Sequence, residues 1–486
     1  MTNQSLKSRT FHGMVWSAIE TFILQGAQVV ITIVLARILS PGDYGLIGML
    51  SIFMALSQVF IDSGMGNALI QKQDRTEIDF STVFVFNLGI SSIIYLILFL
   101  SAPLIAEFFK APQLTLLTRV LTLSFVINSF SLVQSVRLTI KLDFKTKAKA
   151  NSIAVILSGA IAILAAKYGF GVWALVVQAI SRSIISVALL WYLSRWKPNI
   201  QFSRKTFNEL IGFGSKLLSA GIIATIFHNL YNVVIGRSFS AKQLGYYTQA
   251  MNIAELTSGS ITGILQQVTF PILASLQDDK ERMLTVYRKL IGMTTFFVFP
   301  VMVLLSLLAK PLILLFLTDR WESTIVLLQW LCFARIVRPV SALNMNILNA
   351  IGRSDLFLKV DLSKIPIAII ALIITIPLGV KAIVIGHVIT SFIAFFINAY
   401  LPGKFFGYGA FQQIKDMARV VLSVGLMAIS VSLTTIFLET NVQKLFLGGL
   451  VGIVIYASAV TILKVKEIKE VTNLFVGLKN KNSYQL

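Results

Sequence analysis

The chain has 486 residues, of which 56% are hydrophobic and only 13% charged, with a mean hydropathy of +0.81. Soluble domains run at about 45–50% apolar and about 25% charged residues, so an ordinary soluble globular protein and a disordered chain are both excluded. The net charge of +21 would suggest nucleic acid in a soluble protein, but here Lys and Arg sit mostly in short loops between apolar runs. The positive-inside rule and anionic headgroups account for that placement, so the expected partners are membrane lipids and not nucleic acid.

The apolar runs last about 18–25 residues without alternation, which is the helical length for a hydrocarbon core of about 30 Å and not the pattern of a β-barrel. In chain order the predicted spans are 13–35, 45–65, 80–105, 114–135, 149–166, 171–193 and 210–236. They continue with 245–270, 288–309, 323–347, 360–378, 382–401, 417–438 and 445–463, fourteen in all. The first has no small-residue cleavage site after it and reads as a retained span. Gly and Pro interrupt several, as in FVFPVM and IITIPLG, and neighbouring helices can satisfy the freed backbone groups. The lone cysteine, Cys332, lies inside an apolar run and excludes an intrachain disulfide and any Cys-based zinc site.

With the N-terminus in the cytoplasm, 29 Lys and Arg fall on the inner side, 9 on the outer side and 4 within spans. That asymmetry predicts that both termini lie inside and that the span count is even. No outer loop exceeds about fifteen residues, which leaves no place for an outer catalytic module.

Two segments recur. ARILSPGDYG at 36–45 returns as GRSFSAKQLG at 236–245, an offset of 200 that matches Arg37 with Arg237, Ser40 with Ser240 and Gly45 with Gly245. PLIAEF at 103–108 returns as PLILLF at 311–316, an offset of 208. Six helices per repeat is an even number, so both halves insert with the same orientation, as two bundles related by an axis along the membrane normal. The expected organisation is a six-helix bundle over 1–200, a parallel second bundle over 201–405, an appended helix pair over 406–465 and a cytoplasmic tail over 466–486.

Nine ionisable residues lie in the spans: Glu20, Asp62, Arg119, Arg182, His228, Glu255, Arg335, Arg338 and His387. A charge at the bilayer centre costs about 2.5–3.5 kcal/mol on insertion scales, so each should face protein or water and is a functional candidate. Arg119 lies within snorkelling reach of the outer surface; Arg182 is near mid-span. Arg335 and Arg338 share one helix face and repel unless an anion or an acidic partner sits between them. Arginine suits a phosphate group because its planar fork bonds two oxygens and stays charged. Arg182, Arg335 and Arg338, with Arg119, are therefore the candidate diphosphate-binding set. Glu20 and Glu255 read either as arginine partners or as ion-coupling sites. Asp62 reads as a helix-end residue with the same coupling role as its alternative, and His228 and His387 as packed polar groups, since no metal-ligand cluster accompanies them. No GxxxxGK[ST] or GxSxG occurs, so neither a built-in ATPase nor a serine hydrolase is expected. No catalytic residue, metal or cofactor is expected.

LARILSPGDYGLIGM at 35–49, DSGMGNALIQ at 62–71 and NAIGRSD at 349–355 resemble segments of bacterial polysaccharide-export flippases. These form the Wzx-type branch of the multidrug/oligosaccharidyl-lipid/polysaccharide superfamily, and the length and extra C-terminal pair resemble its colanic-acid and teichuronic-acid export members. The resemblance implies a carrier, not an enzyme, in the bacterial inner membrane. It would move undecaprenyl-diphosphate-linked oligosaccharide units outward by alternating access, with proton or sodium coupling, in association with polysaccharide polymerase machinery. The alternatives are a multidrug cation antiporter of the same fold and a flippase for the peptidoglycan lipid precursor.

Overall fold

In hydrocarbon every backbone N–H and C=O must be satisfied within the protein, and helices do this locally. The computed structural model, which describes residues 23–62, 65–199 and 201–468, is helical along nearly all of that length. The first half holds α1 (Ile23–Ile38), α2 (Pro41–Asp62), α3 (Met65–Gln71), α4 (Glu77–Phe108), α5 (Leu114–Leu121), α6 (Leu123–Ser129), α7 (Leu132–Ile140), α8 (Phe144–Lys167) and α9 (Trp173–Ser194). The second holds α10 (Arg204–Ser238), α11 (Ala241–Ala274), α12 (Lys280–Leu307), α13 (Ala309–Phe316), α14 (Glu322–Ile336), α15 (Arg338–Ala350), α16 (Ser354–Ser363), α17 (Ile365–Thr375) and α18 (Val380–Phe406). The appended pair is α19 (Ala410–Phe437) and α20 (Asn441–Ile462). The all-α membrane architecture is as expected.

Among the described residues nine helices are long and apolar enough to cross a membrane, or ten if the bent stretch 114–140 is one span. Several expected spans prove to be broken, and the causes are local. Proline lacks an N–H and frees the carbonyl four residues earlier. Pro311 and Pro339 sit just past the α12/α13 and α14/α15 breaks, and Pro366 just past that between α16 and α17. The stretch from α5 to α7 contains no proline. There Thr122, Ser124, Ser129 and Ser131 turn their hydroxyls onto the carbonyls of Thr118, Leu121, Val126 and Asn128 at 2.6–2.8 Å. Such back-bonding competes with the helix ladder and bends it, here by 40° before α7.

The freed carbonyls become docking points. Pro103 frees the Phe99 carbonyl, which accepts from Arg119 Nε of α5 at 3.3 Å. Pro300 frees the Phe296 carbonyl, which accepts from the Tyr456 hydroxyl of α20 at 2.7 Å. Pro339 frees the Arg335 carbonyl, which accepts from the Ser258 hydroxyl of α11 at 3.0 Å.

The repeat is visible in capping chemistry. The Ser40 hydroxyl accepts from Asp43 N while Asp43 accepts from Ser40 N, at 3.3 and 2.8 Å. Ser240 and Gln243 repeat this box two hundred residues later, at 3.3 and 3.4 Å. Capping boxes start helices by satisfying orphan N–H groups, so both α2 and α11 begin the same way. The two starts also touch each other. A Cβ on Gly45 would lie 1.7 Å from the Ala241 carbonyl oxygen, and one on Gly245 the same distance from that of Pro41. The contact is reciprocal, and only glycine lets the backbones approach so closely.

The chain divides into two compact units, Met1–Gly245 and Tyr246–Leu486. In the first, α10 lies along α2, and Met65, Leu69, Phe84, Val133 and Trp196 form a buried cluster. In the second, α19 and α20 pack on α12 through Phe296, Val424, Met427, Val431 and Val460. A buried polar knot adds to this: the Tyr287 hydroxyl donates to Asn344, and Gln413 of α19 exchanges hydrogen bonds with Asn344 at 3.0 and 3.2 Å. Outward faces carry exposed apolar side chains such as Leu100, Leu104, Ile373 and Ile453, as lipid contact demands.

Candidate functional site

In the second unit α11 presents Met251, Glu255 and Ser258 along one stripe, at helical spacing i, i+4 and i+7. The stripe meets the break between α14 and α15 at Val337. Arg335 lies in the last turn of one helix and Arg338 opens the next, and both reach Glu255. Arg335 Nε lies 3.3 Å from Glu255 Oε2, and Arg338 Nη1 donates to Glu255 Oε1. Arg335 Nη2 also meets the Met251 sulfur at 3.0 Å. The two arginines that the sequence puts on one face thus hold an acidic partner between them, and the trio carries a net charge of +1. Arg335 is mostly enclosed, at 13% side-chain exposure, whereas Arg338 and Glu255 keep 35% and 30%.

The other described candidates lie on other helices. Arg182 is exposed near the middle of α9, and no described residue hydrogen-bonds or ion-pairs with it. Arg119 stacks its guanidinium 4.5 Å from the Phe99 ring centre while its Nε serves the Phe99 carbonyl. Asp62 is the last residue of α2, and its side chain lies outside the described ones, as does the whole of Glu20. His228 is exposed on α10 and His387 half-buried on α18. Among the described residues no three His, Cys, Asp or Glu side chains group as a metal site.

Sequence reading missed a second charged centre. Asp79, in the first turn of α4, is 2% exposed. It accepts from Thr76 N at 2.8 Å, Lys72 Nζ at 3.0 Å and the Thr206 hydroxyl of α10 at 2.8 Å. Lys72 also donates to Glu209 at 3.1 Å. Beside it Arg137 pairs with Glu77 at 2.7 Å and lies over the Phe80 and Trp196 rings. The capping pattern Thr76–Asp79 was the available signal; the long-range partners had none.

An apolar groove of about 390 Å³ runs between α12 and the appended pair, lined by Phe297, Pro300, Leu304, Met427, Ile453 and Tyr456 among others.

These features define a multi-pass membrane protein of repeated helical bundles with arginines inside its apolar helices. The chain belongs to the family described as polysaccharide biosynthesis protein, whose model matches residues 34–326. It is 28% identical over 376 residues to the lipopolysaccharide biosynthesis protein WzxC of Escherichia coli (strain K12), covering 76% of each chain. It is 25% identical over 437 residues to the teichuronic acid biosynthesis protein TuaB of Bacillus subtilis (strain 168), covering 89% of this chain and 90% of that one. Among solved structures it is similar to the lipid II flippase MurJ in an inward closed conformation. The TM-score is 0.75 at 17% identity, over 94% of this chain and 100% of the other, a likeness of fold.

Proposed function

We propose that the protein is a flippase for undecaprenyl-diphosphate-linked oligosaccharide repeat units in the bacterial inner membrane, with both termini cytoplasmic. The physical problem is an amphipathic cargo. A sugar-diphosphate head cannot cross hydrocarbon, while a polyprenyl tail can stay in it. Arg182, Arg335 and Arg338 take the diphosphate, with the terminal nitrogens of Arg119 as a further contact. The two bundles alternate access, and the apolar groove beside α19 and α20 takes the tail. The protein works as a carrier without catalysing a bond change, and it hands its product to a polysaccharide polymerase.

The observation that carries this reading is the sign of the charge inside the apolar helices. Arginine stays ionised even when enclosed, and Arg182 has no described acid while Arg335 and Arg338 share one carboxylate. Membership of a polysaccharide biosynthesis family, and relatives named for lipopolysaccharide and teichuronic acid synthesis, support the choice of cargo. A multidrug cation antiporter would need a carboxylate open to a cation, and Glu255 is engaged by two arginines. Glu20 and Asp62 remain the positions to examine for proton or sodium coupling. The test is glycan export in a strain lacking its own carrier. Wild-type protein should restore export, and Arg335→Gln with Arg338→Gln should abolish it at equal membrane abundance. Full export by the double variant would refute the site.

A further inference from the structure

The geometry points to Glu255 as a built-in competitor for the cargo: its carboxylate occupies the arginine pair when the site is empty and must leave when a lipid diphosphate binds. The proposal rests on the diphosphate reading of Arg335 and Arg338. Glu255 gives one oxygen to each arginine, Oε2 towards Arg335 and Oε1 to Arg338. A phosphate placed between two guanidiniums would bridge them in the same manner. The carboxylate therefore stands where an anionic cargo group would stand.

Two further observations fit a displaceable acid better than a fixed structural pair. Glu255 and Arg338 keep about a third of their side-chain surface, so an entering anion can reach them. Space for the carboxylate is provided along its own helix by Gly259, where a Cβ would lie 2.7 Å from Glu255 Oε1. Arg335 stays anchored by other means, its carbonyl to Ser258 and its Nη2 to Met251.

Charge decides the exchange. One carboxylate draws the two arginines together and meets each with a single oxygen. A diphosphate diester brings two negative charges, matches both guanidiniums and outcompetes a single carboxylate. On release of the cargo Glu255 closes back onto the pair, which favours departure of the head instead of trapping it. Glu255 is thus a positioning residue that trades affinity for turnover.

The experiment uses the full chain in lipid nanodiscs, with farnesyl diphosphate as the probe and farnesol as the tail-only control. Glu255→Gln should bind the diphosphate about tenfold or more tightly than wild type, leave farnesol binding unchanged, and export glycan more slowly in cells. Gly259→Ala keeps every charge but pushes the carboxylate off its resting place, and it too should tighten binding. This second variant decides the matter if Glu255→Gln proves unfolded by thermal melting. Unchanged or weaker binding in a folded Glu255→Gln, or wild-type affinity in Gly259→Ala, would overturn the competitor role. The arginine reading is judged separately. Binding that is lost in Arg335→Gln with Arg338→Gln supports it, whatever Glu255 does. Binding unchanged by that double variant removes both.

Discussion

Lys72 illustrates how a single side chain can be decisive outside the apolar helices. Burial works against its ammonium, yet hydrogen bonds to Asp79 and Glu209, and the charges of both, outweigh it and hold its pKa above the usual lysine value. A raised pKa means the contribution to stability is fully present below the unfolded value, near about pH 10.4, and is lost as pH climbs through the folded one. Lys72→Met should therefore lower the melting temperature by a constant amount between about pH 6 and pH 9, and the gap from wild type should shrink above about pH 10.4. A gap that persists in strong alkali would mean the lysine acts through packing alone. The intramembrane arginines were legible as residues because charge in an apolar run is conspicuous. Their partners were not. Glu255 lies 80 residues before Arg335, and only helix packing brings the two together.

At the scale of elements, proline positions gave notice of kinks, but not of what would meet the freed carbonyls. Tyr456 on the Phe296 carbonyl is a direct case. Tyr456→Phe should cost about 1–3 kcal/mol, the penalty for an acceptor left unsatisfied. Pro300→Ala restores the missing N–H, so the same tyrosine change made on that background should cost almost nothing. Equal costs on both backgrounds, read by melting in detergent, would show that the hydroxyl is not the link. The α5–α7 bend was hidden because hydroxyl back-bonding depends on rotamers, which no spacing rule fixes. The glycine contact between the starts of α2 and α11 makes a second prediction. Gly45→Ala forces backbone apart and should sharply reduce stability, whereas Gly42→Ala, whose nearest neighbour would be the Ser40 hydroxyl at 3.6 Å, should be tolerated. Similar melting of the two variants would contradict the close approach.

For the whole molecule, the proposed cargo carries two negative charges outward, down an inside-negative potential. That movement is favourable by about 4–5 kcal/mol per 100 mV. In proteoliposomes, flipping of a fluorescent polyprenyl-diphosphate sugar should accelerate when a potassium gradient with valinomycin makes the cargo-loaded side negative. Reversing the gradient should slow it, and indifference to the gradient would argue that the charge is neutralised throughout transit. Length, apolar runs and their loops were enough to establish a helical membrane protein, because hydrocarbon leaves the backbone few solutions and hydropathy is a property of the chain itself. Which helices break, which carbonyls find donors and which acid sits on which arginine belong to the tertiary structure alone. Those outcomes depend on groups dozens to hundreds of residues apart, whose distances exist only once the helices have packed.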